Sequence, residues 1–463
     1  MEEEQKKTNS SAIESESNGT EVPESHSNVN IDAQDVDENL IEKVKGDAIG
    51  NTLYSQRFVL STLMKLTKEL DKPLTEDEDF EKDLCTLWDE SVESDVVKFL
   101  LEYNCLELFT SVLDQNDVRL TEILVGIIGN MCVLPETRHV LETSPEITCT
   151  LISLISSTDS LILVQLMRLF QAMLVFENSG DEMIWFQYFS SIEDFVQQFA
   201  FVLTSSTSNT LLKHSLDALY AICAKFAVIE IMPEGGKTNF IDMFVVPQLV
   251  MGLIEAFRQV LGNNSEDNNE GMSLPTENEV KFMSLFLDVN VILTQYKEKS
   301  NYAYSEKLSD FLDCLSRILL PLCNKIYLLP LTTTHQGVIE NLNDIFHALE
   351  IPFHSNIFNQ FLIIFNLLSE SKASKSKKES EWDSSDDEDS ESGKIDIEDL
   401  QCTIIECLTT MMSKCENLDE IREKTDQKII KTFLNRLKNC ETGESVEELI
   451  KLKHILKKII EEK

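Results

Sequence analysis

Glycine and proline are scarce in this chain, at 14 and 10 among 463 residues, well below the usual ~7% and ~5%. That scarcity argues against β-rich folds and against enzymes built on glycine-rich loops. Positive charge is scarce as well. The chain has 40 Lys and Arg against 81 Asp and Glu, for a formal charge of −41 at pH 7. Affinity for a nucleic-acid backbone rests on Lys and Arg displacing counterions, so no direct nucleic-acid partner is expected, and no membrane surface for the same reason. Basic proteins are the electrostatically natural partners, although net charge bears on steering and solubility more than on fold.

Long apolar runs are missing too. None reaches the ~18 residues of a spanning helix, and the most apolar stretch, residues 243–254, is broken by Pro247 and Gln248. The opening Met1-Glu2-Glu3-Glu4 lacks the basic and apolar regions of a signal peptide and is too acidic for a transit peptide. The 11 Cys form no regular framework. Cys132, Cys223, Cys314, Cys402 and Cys407 sit in apolar helical text, where a free thiol behaves as a small hydrophobe. The expectation is a nuclear or cytoplasmic protein with reduced thiols, not a secreted one.

Chemistry finds little support. No C-x-x-C occurs, the seven His are scattered, and Cys402, Cys407 and Cys415 do not share tetrahedral spacing on one helix face. No G-x-S-x-G elbow is present. Gly236-Lys237-Thr238 invites a phosphate-loop reading, with Phe226 to Ile231 as the strand before it and Leu285-Phe286-Leu287-Asp288 as an acidic strand. That motif needs glycine five positions before Gly236, where the chain has Ile231. The segment reads as a loop between helices. No catalytic residue, cofactor, metal or small-molecule substrate is assigned, and the chain is not read as an enzyme.

What is present is a helical repeat. Leu120, Leu124, Ile127, Ile128 and Met131 recur 42 positions later as Ile162, Leu166, Leu169, Phe170 and Met173. That offset falls in the armadillo/HEAT range of roughly 40–47 residues. A looser third copy carries Leu212, Leu216, Leu219, Tyr220 and Ile222. Each repeat buries its apolar face only by stacking on its neighbours, and the stack leaves an extended binding surface. The fold class is therefore all-α: an armadillo/HEAT-like right-handed solenoid with irregular repeats and disordered acidic segments.

Residues 1–45 are Glu, Ser, Asn and Asp with few large apolar side chains and read as a disordered tail. Residues 46–370 form the repeat domain, with a polar loop insertion at 262–278. In it Asp117 suits an N-cap, Pro135 and Pro145 each suit a first helical turn, and Ser157 or Thr158 opens the next helix. Single helical blocks are expected over 181–204 and 209–228, and Pro321 should kink or end the helix before it. Residues 371–394 read as a linker, first Lys/Ser-rich and then acidic. Two or three helices over 395–463 would cap the solenoid, the last with Leu449, Leu452, Leu456 and Ile459 as its apolar stripe.

Ser384 and Ser385 precede acidic residues, the context that acidophilic kinases favour; phosphate there would add negative charge that could fold back on the Lys372–378 run. That run also matches a nuclear-import signal. Gly129-Asn130-Met131 resembles the position where peptide-gripping armadillo repeats carry an inner-helix Asn, but Ala172 and Ala221 stand at the corresponding places. Asn130 then reads as an isolated polar residue bonded to a neighbouring loop, and Gly126 and Gly129 as allowing close helix packing.

Four stretches carry a resemblance: Gly46-Asp47-Ala48-Ile49-Gly50-Asn51-Thr52-Leu53-Tyr54-Ser55, Leu87-Trp88-Asp89-Glu90-Ser91, Asp95-Val96 with Phe99-Leu100, and Leu124-Val125-Gly126-Ile127-Ile128-Gly129-Asn130-Met131-Cys132. In this order they resemble the serum-amyloid-A-like 1 protein family over about residues 46–132. The resemblance implies an armadillo-like fold, a nuclear location and a role in promoting cell proliferation, and brings no catalytic residues. The expected function is a non-enzymatic interaction scaffold that regulates proliferation, with Trp88, Asp89 and Asn130 in protein contact. The alternative is a helical adaptor for transport or phosphatase-type assemblies that holds basic segments.

Overall fold

A computed structural model of the chain describes residues 46–68, 73–113, 117–175, 183–231, 243–262, 274–379, 396–414, 418–437 and 446–461. Among them the regular elements are helices, and the β-type pairing is a lone antiparallel bridge between Ala48 and Ser55. The chain is an all-α helical solenoid, as its periodicity predicts.

Two ladders of helices run along it. The first contains α2 (Glu78–Glu90), α5 (Val118–Met131), α8 (Ser160–Val175), α11 (Asn209–Ile231), α13 (Glu277–Thr294), α17 (Thr333–Ala348), α19 (Ile397–Ser413) and α22 (Val446–Glu461), each packed on the next. The second contains α4 (Cys105–Ser111), α7 (Pro145–Ser153), α9 (Met183–Ser191), α10 (Phe195–Ser205), α12 (Pro247–Leu261), α15 (Leu308–Leu319), α18 (Ser355–Glu379) and α21 (Gln427–Arg436). Shorter helices connect them: α3 (Ser94–Glu102), α6 (Pro135–Thr143), α14 (Lys297–Ser305), α16 (Lys325–Leu328) and α20 (Leu418–Lys424), with α1 (Gln56–Leu66) ahead of α2.

The core lies between and along the ladders and is rich in aromatic pairs. Phe170 of α8 meets Phe189 of α9 at 5.3 Å between ring centres, Phe257 of α12 meets Phe286 of α13 at 4.7 Å, and Phe365 of α18 meets Phe433 of α21 at 4.7 Å. Such pairs contribute roughly 0.5–1.5 kcal/mol each beyond the area they bury. Cys132, Cys223 and Cys314 are buried and unbridged, with burial pushing each thiol up to about 12. Cys407 is buried likewise, whereas Cys402 is half-buried.

The helix boundaries follow the local chemistry. Asp117 caps α5 by accepting from the Leu120 amide at 3.0 Å, and Pro135 and Pro145 stand in the first turns of α6 and α7. Pro321 falls in a 3₁₀ turn, Leu320–Cys323, directly after α15. Several expectations are corrected. The helix after residue 156 starts at Ser160 and not at 157–158, because the Asp159 carboxylate accepts from the Leu161 and Ile162 amides. The block expected over 181–204 is two helices, α9 and α10, separated where Asp194 turns left-handed at φ 56°. Helix α18 runs to Glu379, past the expected start of the linker at 371. Among the described residues four helices, not two or three, follow the linker, and Leu452, Leu456 and Ile459 of the last are buried. The tail 1–45, the core of the polar insertion and the acidic part of the linker lie outside the described residues.

Candidate functional site

The Val118–Met131 helix is apolar almost all round, so it is buried on nearly every side, between α2 and α8. Where it meets α2 the fit is tight. A Cβ on Gly126 would lie 2.2 Å from Cζ2 of Trp88, so the half-buried indole occupies the space that any side chain at 126 would need. Gly129 differs: a Cβ there would lie 3.9 Å from the Leu169 backbone on α8, an ordinary contact. Close packing thus explains Gly126 and does not require Gly129.

Asn130 finishes the joint. Its Nδ2 donates to the Trp88 carbonyl at 3.2 Å and to Ser91 Oγ at 3.1 Å, and Ser91 Oγ in turn donates to the Trp88 carbonyl at 2.6 Å. The amide therefore holds the last turn of α2, one neighbour away in the ladder. Beyond it, Arg138 donates to the carbonyls of Cys132 and Val133 at 2.8 and 3.0 Å, placing a cation where the dipole of α5 ends. At the start of α3, Asp95 Oδ2 accepts from the amide of Asn51 at 3.0 Å, and Gly50 holds φ +53° against that carboxylate. The four family-like stretches are thereby pinned in two pairs at the start of the solenoid.

Next to this joint the first ladder opens a cleft of about 330 Å³, lined by Gly126, Gly129, Asn130, Val133, Gln165, Arg168, Gln171, Ala172 and His214. Arg168 is exposed and donates from its guanidinium to Gln165 Oε1 at 2.7 Å. Burial holds His214 below the ordinary imidazole range; Asp217 opposes this, while Arg168 and Lys281 add to it. Its Nδ1 is buried and has no hydrogen-bond partner among the described residues. Asp217 pairs with Lys281 at 3.3 Å. Further along, the ladder turns acidic. Asp288, bonded by Asn341 at 2.7 Å, and Asp344 are both raised by burial.

Of the residues expected to contact a partner, Asn130 lines the cleft, Trp88 covers Gly126 at its edge, and Asp89 is exposed but does not line it. Ser384 and Ser385 lie outside the described residues, as does Gly236-Lys237-Thr238. Phe226 to Ile231 and Leu285 to Asp288, the strands a phosphate loop would need, are helical. Sequence reasoning missed Gln165, Arg168, Gln171 and His214. A signal existed for the first three: they recur every third residue on the otherwise apolar Ser160–Val175 helix, and so share one face.

No family model matches the chain. It is 28% identical to "Protein saal1" of Danio rerio over 234 residues, 48% of this chain and 49% of that protein. It is 29% identical to "Protein saal1" of Xenopus tropicalis, over 36% of this chain and 38% of that one. It is 30% identical to "Protein SAAL1" of Homo sapiens, over 48% of this chain and 51% of that one. The chain spans about half the length, or less, of the curated relatives it matches. Among solved structures, an engineered protein is 14% identical and covered over 97% of its length, with 62% of this chain, at a TM-score of 0.41, too loose a likeness to argue from.

Proposed function

We propose, from its similarity to the SAAL1 proteins over about half the chain, that it is a serum-amyloid-A-like 1 family member and a non-enzymatic protein-interaction scaffold. The observation that carries the proposal is the polar cleft on the first ladder, beside the Trp88–Gly126 packing and the Asn130 bonds. A solenoid offers its partners an extended face rather than a closed pocket, and a cleft of this size on such a face suits side chains of a docked segment. As the family resemblance implies, the setting we propose is control of cell proliferation, in the nucleus or cytoplasm.

The charge of −41, with Asp288 and Asp344 further along the first ladder, favours a second contact with basic segments. That contact would fit an adaptor for transport or phosphatase-type assemblies.

Co-purification from the protein's own cells tests the scaffold reading. Ala172→Trp fills the cleft from a half-buried position. The proposal expects it to remove the principal partners while the helical circular dichroism stays unchanged. Retention of every partner by the folded variant overturns the assignment to this face.

A further inference from the structure

Arg168, on the first ladder, bonds no carboxylate among the described residues. In a chain with 81 acidic and 40 basic residues, carboxylates are plentiful, and several arginines find them. Arg119 bonds Glu81 and Glu122, Arg258 bonds Asp310, and Arg436 bonds Glu370. Among the described residues Arg168 bonds only the neutral Gln165, and no carboxylate lines its cleft.

The rest of the lining suits an extended segment. Gly129 and Ala172 present little beyond backbone, so a chain can approach closely. Gln171 and His214 supply neutral polar groups, and a buried nitrogen of His214 has no hydrogen-bond partner among the described residues. Asn130 cannot lend its amide hydrogens, which already hold the Trp88 carbonyl and Ser91. The remaining strong donor is the guanidinium, whose fork matches a carboxylate in two parallel bonds.

Building on the scaffold reading, we propose that this cleft binds a Glu or Asp side chain of an extended partner segment, with Arg168 taking the carboxylate. The assignment runs against the sign of the whole molecule, whose field repels acidic peptides at long range. Contact at Arg168 therefore supplies the selectivity, and the acidic ladder beyond Asp288 leaves this end of the face as the place for an acidic residue.

The test uses the full chain and three fluorescein-labelled octapeptides of Ser, Gly and Ala, carrying two central Glu, two Gln or two Lys. Fluorescence anisotropy should show saturable binding of the Glu peptide. The Gln and Lys peptides should bind at least tenfold more weakly, and Arg168→Ala should weaken the Glu peptide by about tenfold. Lys98→Ala, at an exposed position on α3 away from the cleft lining, should leave binding unchanged. Gln171→Glu gives an independent check, since it places a competing carboxylate on the neighbouring turn and should abolish binding of the Glu peptide. Lack of saturable binding, equal binding of the Glu and Gln peptides, or insensitivity to both Arg168→Ala and Gln171→Glu overturns the proposal. If Ala172→Trp removes cellular partners while Arg168→Ala does not, the scaffold reading survives and the acidic-residue assignment fails.

Discussion

Substituting Gly126 tests the joint between α2 and α5 beside the cleft. In isolation Gly126→Ala should stabilise a helix, because glycine costs roughly 0.8–1 kcal/mol relative to alanine in a helix interior. Here the added Cβ would stand 2.2 and 2.3 Å from two indole carbons of Trp88, far inside contact distance. Moving the ring forfeits its packing, and overpacking of this kind costs about 1–3 kcal/mol, with so short an approach at the upper end. The net expectation is a loss of about 2 kcal/mol. Trp88→Ala empties the space, and in that background Gly126→Ala should stabilise by about 1 kcal/mol through helix propensity alone. The sign reverses between backgrounds, and the coupling energy is about 3 kcal/mol. A solenoid does not unfold as one unit, so the assay is native-state hydrogen exchange of the α2 and α5 amides, which reads local opening free energies. If Gly126→Ala stabilises α5 equally in both backgrounds, the Trp88–Gly126 contact is not what sets the spacing of α2 and α5.

Asn130→Ala should lower local stability by about 1 kcal/mol, since Ser91 Oγ still satisfies the Trp88 carbonyl after the amide is gone; melts paired with co-purification should show stability changing and partner recovery holding. Gly50→Ala forces a side chain into a left-handed position 2.4 Å from Asp95 and should cost about 1–2 kcal/mol or more, seen as faster proteolysis near Asn51. Glu90 is 7% exposed, and burial pushes its carboxyl up to about 7 with Oε2 unbonded among the described residues. The folded state then holds a proton that the unfolded state has lost between about pH 4.5 and 7, so stability falls as pH rises through that window and the full cost stands above it. Glu90→Gln should flatten this dependence and raise stability at pH 8 by on the order of 1–3 kcal/mol; a melting-temperature profile as steep as that of the native chain would refute the burial argument.

The fold was legible because its signals are local and repeated. The 42-residue recurrence, the Asp117 cap and the prolines at 135 and 145 each act within one helical turn or one repeat. What sequence reasoning lost depends on contacts distant in the chain. The break at Asp194 rests on one residue turning left-handed between two apolar helices, and periodicity carries no sign of it. Glu90 is a carboxylate at the end of α2, and its burial to 7% exposure has no sign in the local sequence. The cleft draws Asn130, Arg168 and His214 from three helices, so its polar stripe could be noticed on α8 but its partners could not. Trp88 and Asn130 were singled out as contact residues, and the structure gives both of them packing roles at the rim of the cleft.

Photo-crosslinking from two positions tests the central claim most directly. A benzoylphenylalanine at Gln171 reports on the cleft, and one at Phe201, which is 65% exposed on α10 of the second ladder, reports on the other ladder. Irradiated in its own cells, the Gln171 probe should capture a defined partner whose crosslinked peptide carries an acidic residue, and the Phe201 probe should not capture that protein. Capture of the same partner at Phe201 and none at Gln171 would contradict the account.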